Sequence, residues 1–272
     1  MQDDRKIVIT GGSSGLGLAL AEALFSRGAR LALVARDEAK LLAAREKLLA
    51  ARPDGVVFVH SLDVGSGDLA PAFDQIASEL GGIDVLVNSA GVLREGYFDD
   101  STDDDFRALM DVNCFGTLRA IRAALPHLER SRGRILNVAS VAALTGVFGY
   151  TAYCASKHAL LGVSDALRVE LAPRGILVQV ACPGEFDSPM VEALDRTRTP
   201  ENRAHTLALP RTDMAEIVRD LIRAMEGDRF LTVPGRRARL FAFGLRHFPG
   251  IGRRVGDRKV REAYVGPKSR GR

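Results

Sequence analysis

One rhythm dominates this chain: short apolar runs of four to seven residues alternate with segments of helical periodicity. Such alternation demands βαβ units, because a strand with no polar face must be covered on both sides, and crossover helices do that for parallel strands. The runs predict strands at Lys6–Thr10, Arg30–Ala35, Val56–Ser61, Asp84–Asn88, Arg134–Val138, Leu177–Cys182 and Phe230–Val233. Helices are predicted between them, for example over Leu16–Ser26, closed by Gly28, and over Glu38–Ala51, closed before Pro53. Right-handed crossovers then give an α/β fold, a doubly wound parallel sheet in three αβα layers with ligands at the carboxyl ends of the strands. No repeat or linker interrupts the pattern before about residue 234, so residues 1–234 are expected to form one domain and 235–272 a basic tail.

The first strand runs into Thr10-Gly11-Gly12-Ser13-Ser14-Gly15-Leu16-Gly17, followed at once by an Ala/Leu-rich helix. Glycines at 11, 15 and 17 let the backbone turn tightly and approach a pyrophosphate, while the helix N-terminus offers unpaired N–H groups and a positive dipole end. The fold is therefore of Rossmann type, and Gly11, Ser13, Ser14, Gly15, Leu16 and Gly17 form the expected dinucleotide-binding set. The end of the second strand selects between the two nicotinamide dinucleotides: a carboxylate there binds ribose hydroxyls, a basic residue accepts a 2′-phosphate. This chain reads Leu33-Val34-Ala35-Arg36. A guanidinium suits a phosphate, so Arg36 points to NADP(H) as the cofactor.

Tyr153 and Lys157 lie one helical turn apart, with Ser140 upstream at the end of an apolar run. A phenol titrates near about 10 and is a poor proton donor or acceptor at neutral pH. An ammonium on the same helix face is expected to stabilise the phenolate and lower that value, and a serine hydroxyl aimed at the same point can hold a carbonyl or alcohol oxygen. An isolated pair at this spacing is ordinarily a solvated helix face; its meaning comes from the cofactor turn upstream. Cys154 adjoins the tyrosine but points elsewhere on the helix and is expected to pack.

Charge narrows the partners. The net charge of +4 conceals an asymmetry: Arg229–Arg272 carries 13 Lys/Arg against Asp257 and Glu262, whereas the residues before it carry 25 bases and 32 acids. The basicity belongs to the tail, so general nucleic-acid binding is not expected. No run of eighteen apolar residues is present to span a bilayer. The acidic start Met1-Gln2-Asp3-Asp4 is unlike a signal peptide. Three scattered cysteines suit neither a disulfide framework nor a metal site, so a cytoplasmic location and no metal are expected.

With these motifs in place the chain resembles the short-chain dehydrogenase/reductase family over residues 5 to about 234. The resemblance implies that Asp63 contacts the adenine ring, and that Asn88 in Asn88-Ser89-Ala90-Gly91 supports the sheet beside the cofactor. The second position of that element is Ser89 where the family has Asn. By the same resemblance Asn113 holds a water in a proton relay and Ser140 is the catalytic serine, with Ala139 where a second serine is common. Tyr153 and Lys157 match the catalytic pair, with Lys157 also binding the nicotinamide ribose. Pro183-Gly184 followed by Ser188 resembles the family's Pro-Gly-x-x-x-Thr, whose hydroxyl meets the nicotinamide carboxamide. The implied reaction is hydride transfer between NADP(H) and a small-molecule ketone or secondary alcohol, with Tyr153 as general acid or base. Members of the family are often dimers or tetramers built through the helices carrying the equivalents of Asn113 and Tyr153, which implies a homo-oligomer.

The segment 185–210 is the expected substrate lid. Asp187-Ser188-Pro189, Arg196-Thr197-Arg198-Thr199-Pro200 and Leu33-Val34-Ala35-Arg36 are similar to the 3-ketodihydrosphingosine reductases, which implies an apolar, lipid-like substrate; Glu185 is then placed either to meet a substrate ammonium or to lie solvated on the lid. A 3-oxoacyl-thioester reductase docking an acidic carrier protein is the alternative, and an inactive NADP-sensing protein a more distant one. In the tail, Arg236-Arg237-Ala238-Arg239 precedes Phe241, Leu245 and Phe248 at helical spacing, with Val255 and Val260 continuing the pattern. Such a stretch suits peripheral contact with a membrane surface, packing on the acidic body, or covering the cleft of a partner subunit. Residues 266–272 are expected to be disordered.

Overall fold

The computed structural model describes residues 4–207 and 210–265. The end of the lid expected at Leu209 and the final segment 266–272 lie outside the described residues. β1 (Lys6–Thr10) passes through the glycine turn into α1 (Gly15–Ser26), β2 (Arg30–Ala35) into α2 (Glu38–Ala51), and β3 (Val57–Ser61) into α3 (Ala70–Leu80). β4 (Val85–Asn88) leads to α4 (Asp103–Met110), one turn of π-helix (Asp111–Gly116) and α5 (Thr117–Ser131). β5 (Arg134–Val138), α6 (Thr151–Leu171) and β6 (Leu177–Ala181) follow, then α7 (Pro189–Asp195), α8 (Pro200–Thr206) and α9 (Met214–Glu226). β7 (Leu231–Thr232), α10 (Arg236–His247) and α11 (Pro249–Ala263) complete the described chain.

All seven strands pair in parallel in the order β3-β2-β1-β4-β5-β6-β7. Consecutive residues of one strand enter opposite cores. Ile7 and Ile9 pack with Leu20, Leu24, Leu41, Leu221 and Met225 of α1, α2 and α9, whereas Val8 packs with Phe73, Ile76, Ala124 and Leu171 of α3, α5 and α6. Both faces are apolar, which is why these strands read as continuous runs rather than alternating ones. Sequence and structure differ at the ends: Val56, Asp84, Cys182, Phe230 and Val233 fall just outside the strands, where pairing gives way to turns. Helix starts follow side-chain chemistry. Asp37 accepts from Lys40 N at 3.0 Å and Asp213 from Glu216 N at 3.0 Å, while Thr102 and Asp105 form a reciprocal capping box.

Strand order reverses between β1 and β4, where the crossovers leave on opposite sides and open a crevice at the carboxyl edge. The lid and tail fold over that edge. The tail packs on its own chain: Val265 N donates to Glu201 Oε1 at 2.7 Å, Arg236 N to Glu216 Oε1 at 3.1 Å, and Arg239 Nη2 pairs with Asp220 Oδ2 at 2.8 Å. Of the readings open for the tail, packing on the acidic body therefore holds for its inner face, and the cleft it covers is its own.

Candidate active site

The cleft, of about 290 Å³, runs from the glycine turn to the lid. Gly11 adopts φ +69°, and a side chain there would sit 2.7 Å from Ala90 N in the β4 loop. A Cβ on Gly17 would lie 2.2 Å from Gly11 O. Backbone crowding, rather than flexibility, fixes these two glycines. Gly15, at φ +54°, leaves open space bounded by Ser188 Cβ at 3.9 Å, so the turn and the loop after β6 face each other across a gap. Ser14 precedes α1 without capping it, so the first N–H groups of the helix are not satisfied by that side chain. This cradle fits a pyrophosphate.

Gly11, Ser14, Gly15, Leu16, Pro183, Gly184 and Ser188 line the cleft; Ser13, Gly17, Arg36 and Asp63 do not. Arg36 is exposed at the end of β2 beside the turn, where Gly11 N donates to Val34 O at 2.8 Å. Among the described residues its guanidinium has no hydrogen-bond or ion-pair partner. It is thus free to meet a group bound beside the glycine turn. Asp63 is exposed, and its carboxylate accepts from Gly65 N at 2.8 Å. Asn88 is buried behind the cleft and donates to Asn137 Oδ1 at 2.9 Å, and Asn137 in turn donates to Ser164 Oγ at 2.9 Å. It ties β4 to β5 and α6, leaving Ser89, Ala90 and Gly91 to face the ligand space.

Ser140, Tyr153 and Lys157 converge on the middle of the cleft. The Ser140 side chain accepts from Ala142 N at 3.1 Å, which orients it, and its hydroxyl faces the same part of the cleft as Tyr153. Burial pushes the Tyr153 phenol up to about 12, against a smaller downward pull from Ser140. Lys157, 4% exposed, donates to Val138 O at 3.0 Å and lies 5.7 Å from the Tyr153 ring centroid. Burial brings its ammonium down to about 8. The expectation that one-turn spacing lowers the tyrosine is therefore not met in the ligand-free protein. Desolvation dominates both groups and shifts each toward its neutral form, although Lys157 at about 8 is still mainly an ammonium at neutral pH.

Asn113 is fully buried in the π-helical turn, a feature that often marks functional segments. Its Oδ1 accepts from Val92 N at 2.8 Å, and its Nδ2 donates to Val92 O at 3.0 Å and Ser156 Oγ at 2.9 Å. These contacts hold the side chain against the loop after β4 and against α6, and the Asn113 carbonyl accepts from Thr117 Oγ1 at 3.3 Å. Cys154 packs with Ala142, Tyr150 and Leu194 as expected.

Several site residues escaped the sequence reading. Tyr150 lines the cleft, stacked edge-on to Tyr153 with centroids 5.5 Å apart; its spacing of three from Tyr153 was the available signal. His205 of α8 accepts from Phe148 N at 3.1 Å through Nδ1, so its proton sits on Nε2, and burial keeps the ring neutral by lowering its pKa. Ala238 and Phe241 of α10 roof the cleft. Arg198 and Arg211 grip Glu185 from both sides. Their signal was the interleaving of acids and arginines along the lid.

A doubly wound sheet carrying a glycine cradle at its switch point, with a serine, tyrosine and lysine meeting beside it, defines the nicotinamide-dependent oxidoreductase class. The family model for short chain dehydrogenases matches residues 5–199, and the chain belongs to that family. It is 39% identical over 202 residues to the 3-dehydrosphinganine reductase of Danio rerio, covering 72% of this chain and 61% of that one. It is 41% identical over 193 residues to a putative ketoacyl reductase of the monensin polyketide synthase from Streptomyces virginiae, covering 69% and 73%. Among solved structures it superposes on an actinorhodin polyketide ketoreductase with NADPH at a TM-score of 0.74 and 30% identity, covering 84% of this chain and 92% of that one. Among the described residues, no helix is long and apolar enough to cross a membrane, and no three His, Cys, Asp or Glu side chains group as metal ligands.

Proposed function

We propose that the protein is an NADP(H)-dependent oxidoreductase that interconverts a ketone and a secondary alcohol on an apolar, lipid-like substrate. The observation that carries this reading is the convergence of Ser140, Tyr153 and Lys157 on one cleft whose far end is the glycine cradle. Bound NADP(H) supplies the hydride. The α1 N-terminus and Arg36 hold its phosphates, Asp63 its adenine end, and Ser188 and Lys157 its nicotinamide end. Ser140 donates to the substrate oxygen. Tyr153, kept protonated by burial, gives that oxygen its proton in reduction; in oxidation it first passes its own proton to the relay and then, as the phenolate, accepts the proton of the alcohol. Lys157 approaches the vacated phenolate as a cation and restores its proton through a water held on the Asn113 carbonyl. Leu93, Val147, Met190 and Phe241 supply the apolar wall of the substrate end.

Tyr153→Phe removes the proton donor and keeps the ring. The expected result is a loss of turnover of at least about 1000-fold, with NADPH binding measured by fluorescence retained. Retained turnover would falsify the assignment. A 3-oxoacyl thioester remains the second reading, favoured by the ketoacyl reductase relative. It predicts higher kcat/KM for a carrier-bound thioester than for a free long-chain ketone.

The same reading extends to a cytoplasmic homo-oligomer that touches membranes through its tail. Phe115 and Val169, on the π-helical turn and α6, stand 45% and 60% exposed and suit a subunit interface. Leu240, Phe243, Phe248 and Ile251 are exposed on the outer side of α10 and α11 among Arg237, Arg246, Arg253 and Arg254, a pattern suited to anionic headgroups. Co-sedimentation with phosphatidylserine vesicles at low salt, weakened by Phe243→Glu, is the expected outcome; indifference to vesicles refutes the membrane contact.

A further inference from the structure

The charges of the cleft bear on what its substrate carries. Among the described residues Glu185 is the one acid that lines it, beside the bases Lys157 and His205. A lone carboxylate at a substrate cleft ordinarily invites a cation. Here it already has two. Arg198 donates to both oxygens, Nη1 to Oε1 at 3.1 Å and Nη2 to Oε2 at 2.8 Å, in the bidentate fork that suits guanidinium to carboxylate. Arg211 Nε donates to Oε1 at 2.9 Å, while its Nη1 reaches Asp187 Oδ1 at 2.8 Å and its Nη2 reaches Asp195. The Arg198 side chain is 0% exposed and that of Glu185 is 14% exposed.

The cluster joins separate parts of the roof. Glu185 lies on the loop after β6, Asp195 at the end of α7, Arg198 before α8 and Arg211 before α9. Arg198 also donates to Thr206 Oγ1 at 3.1 Å, and Thr212 N donates to the Glu185 carbonyl at 2.8 Å. These contacts cross-link the lid. For a substrate ammonium to pair with Glu185, it would have to compete with the Arg198 fork, and a displaced Arg198 would keep only Asp195, 3.5 Å from its Nε, as an acid partner. Breaking one half of a buried pair is far costlier than never forming it. An ammonium that left Glu185 alone would lose its hydration in an apolar cleft already holding Lys157, with no carboxylate to replace the water.

We infer that Glu185 is a lid clasp rather than a substrate counter-ion, and that the cleft selects ketones uncharged around the reacting carbonyl over those bearing an adjacent ammonium. This rests on the ketoreductase reading above and names the class of ketone. Three long-chain substrates of equal length test it in NADPH-oxidation assays at pH 7: a 2-amino-3-ketone, its N-acetyl derivative and the ketone lacking nitrogen. The expected kcat/KM is at least about tenfold higher for the two neutral compounds. An amino ketone turned over as well as its neutral counterparts overturns the inference and leaves the ketoreductase reading standing; no turnover of any of the three sinks both.

Glu185→Gln provides the second arm, with NADPH binding followed separately to establish that the fold persists. As a clasp, Glu185 acts on every substrate alike, so the variant lowers kcat/KM by a common factor for all three. A loss confined to the amino ketone means that the carboxylate meets the ammonium, and the inference falls.

Discussion

The two sides of the cleft are built by opposite means. The sheet edge is shaped by backbone: Gly11 and Gly17 sit where a single added carbon would collide with main-chain atoms, and the catalytic groups hang from β5 and α6. The roof is shaped by long charged side chains on short helices, cross-linked by ion pairs and capped by α10. Backbone contacts leave no alternative arrangement, whereas the outer ion pairs of the roof, such as Arg211 with the exposed Asp187, can be exchanged one for another. The edge is therefore expected to tolerate nothing and the roof to tolerate a good deal, which suits a constant cofactor facing a variable substrate.

The sharpest test of that contrast is Gly17→Val. Its Cβ would fall 2.2 Å from Gly11 O, so the turn must open. A loss of roughly 4 kcal/mol in urea unfolding is expected, with NADPH binding abolished. A stable variant that binds NADPH would break the comparison at its stronger end.

Next comes a pH effect at the sheet edge. Burial holds Lys157 near 8, below its ordinary value of 10.5, so between these two values the unfolded chain binds a proton that the folded chain does not. Lys157 therefore contributes stability that rises with pH across that window. Its share is about 2 kcal/mol between pH 7.5 and 9.5 and is absent from Lys157→Met. Burial raises the thiols of Cys114, Cys154 and Cys182 above 9.0, which lowers stability over the same range, and Tyr153 adds to that above 10.0. Urea midpoints of wild type and Lys157→Met at the two pH values check this, and parallel profiles refute it.

A smaller effect is expected at Arg36, which lies at the edge yet acts through a side chain. Arg36→Ala should lower the preference for NADPH over NADH by about tenfold in kcat/KM, since one guanidinium–phosphate contact is removed. An unchanged ratio means that another group reads the 2′-phosphate. The smallest effect belongs to the roof: Arg211→Ala leaves Arg198 on Glu185, so thermal stability should fall by no more than about 1 kcal/mol. A larger loss would show that the roof is as intolerant as the edge.

Legibility followed the same division. The strands could be read because both of their faces are apolar, and the turn because its glycines answer a local backbone demand. Seven of the cofactor positions named from sequence line the cleft, and so do Ser140, Tyr153 and Lys157. The partner of Asn88 could not be read, because a strand-end asparagine gives no sign of which way it points until Asn137 on the neighbouring strand is seen opposite it. The contacts of Asn113 to Val92 and Ser156 were not legible either, because both partners lie far away along the chain. The titration of Tyr153 was misjudged because spacing along a helix gives the distance to Lys157 but not the burial of either group.

What the sequence determined by itself was whatever depends on neighbours along the chain: the alternation of strands and helices, the glycine cradle, and the one-turn spacing of Tyr153 and Lys157. Tertiary structure alone decided the roles that depend on residues far apart. Arg198 and Arg211 pair with Glu185 across the lid, Asn137 claims Asn88, and Ala238 and Phe241 close the cleft with a tail whose sequence left its place open. The physical reason is that periodicity and turn chemistry act over a few residues. Pairing of charges and loss of water are properties of the packed whole.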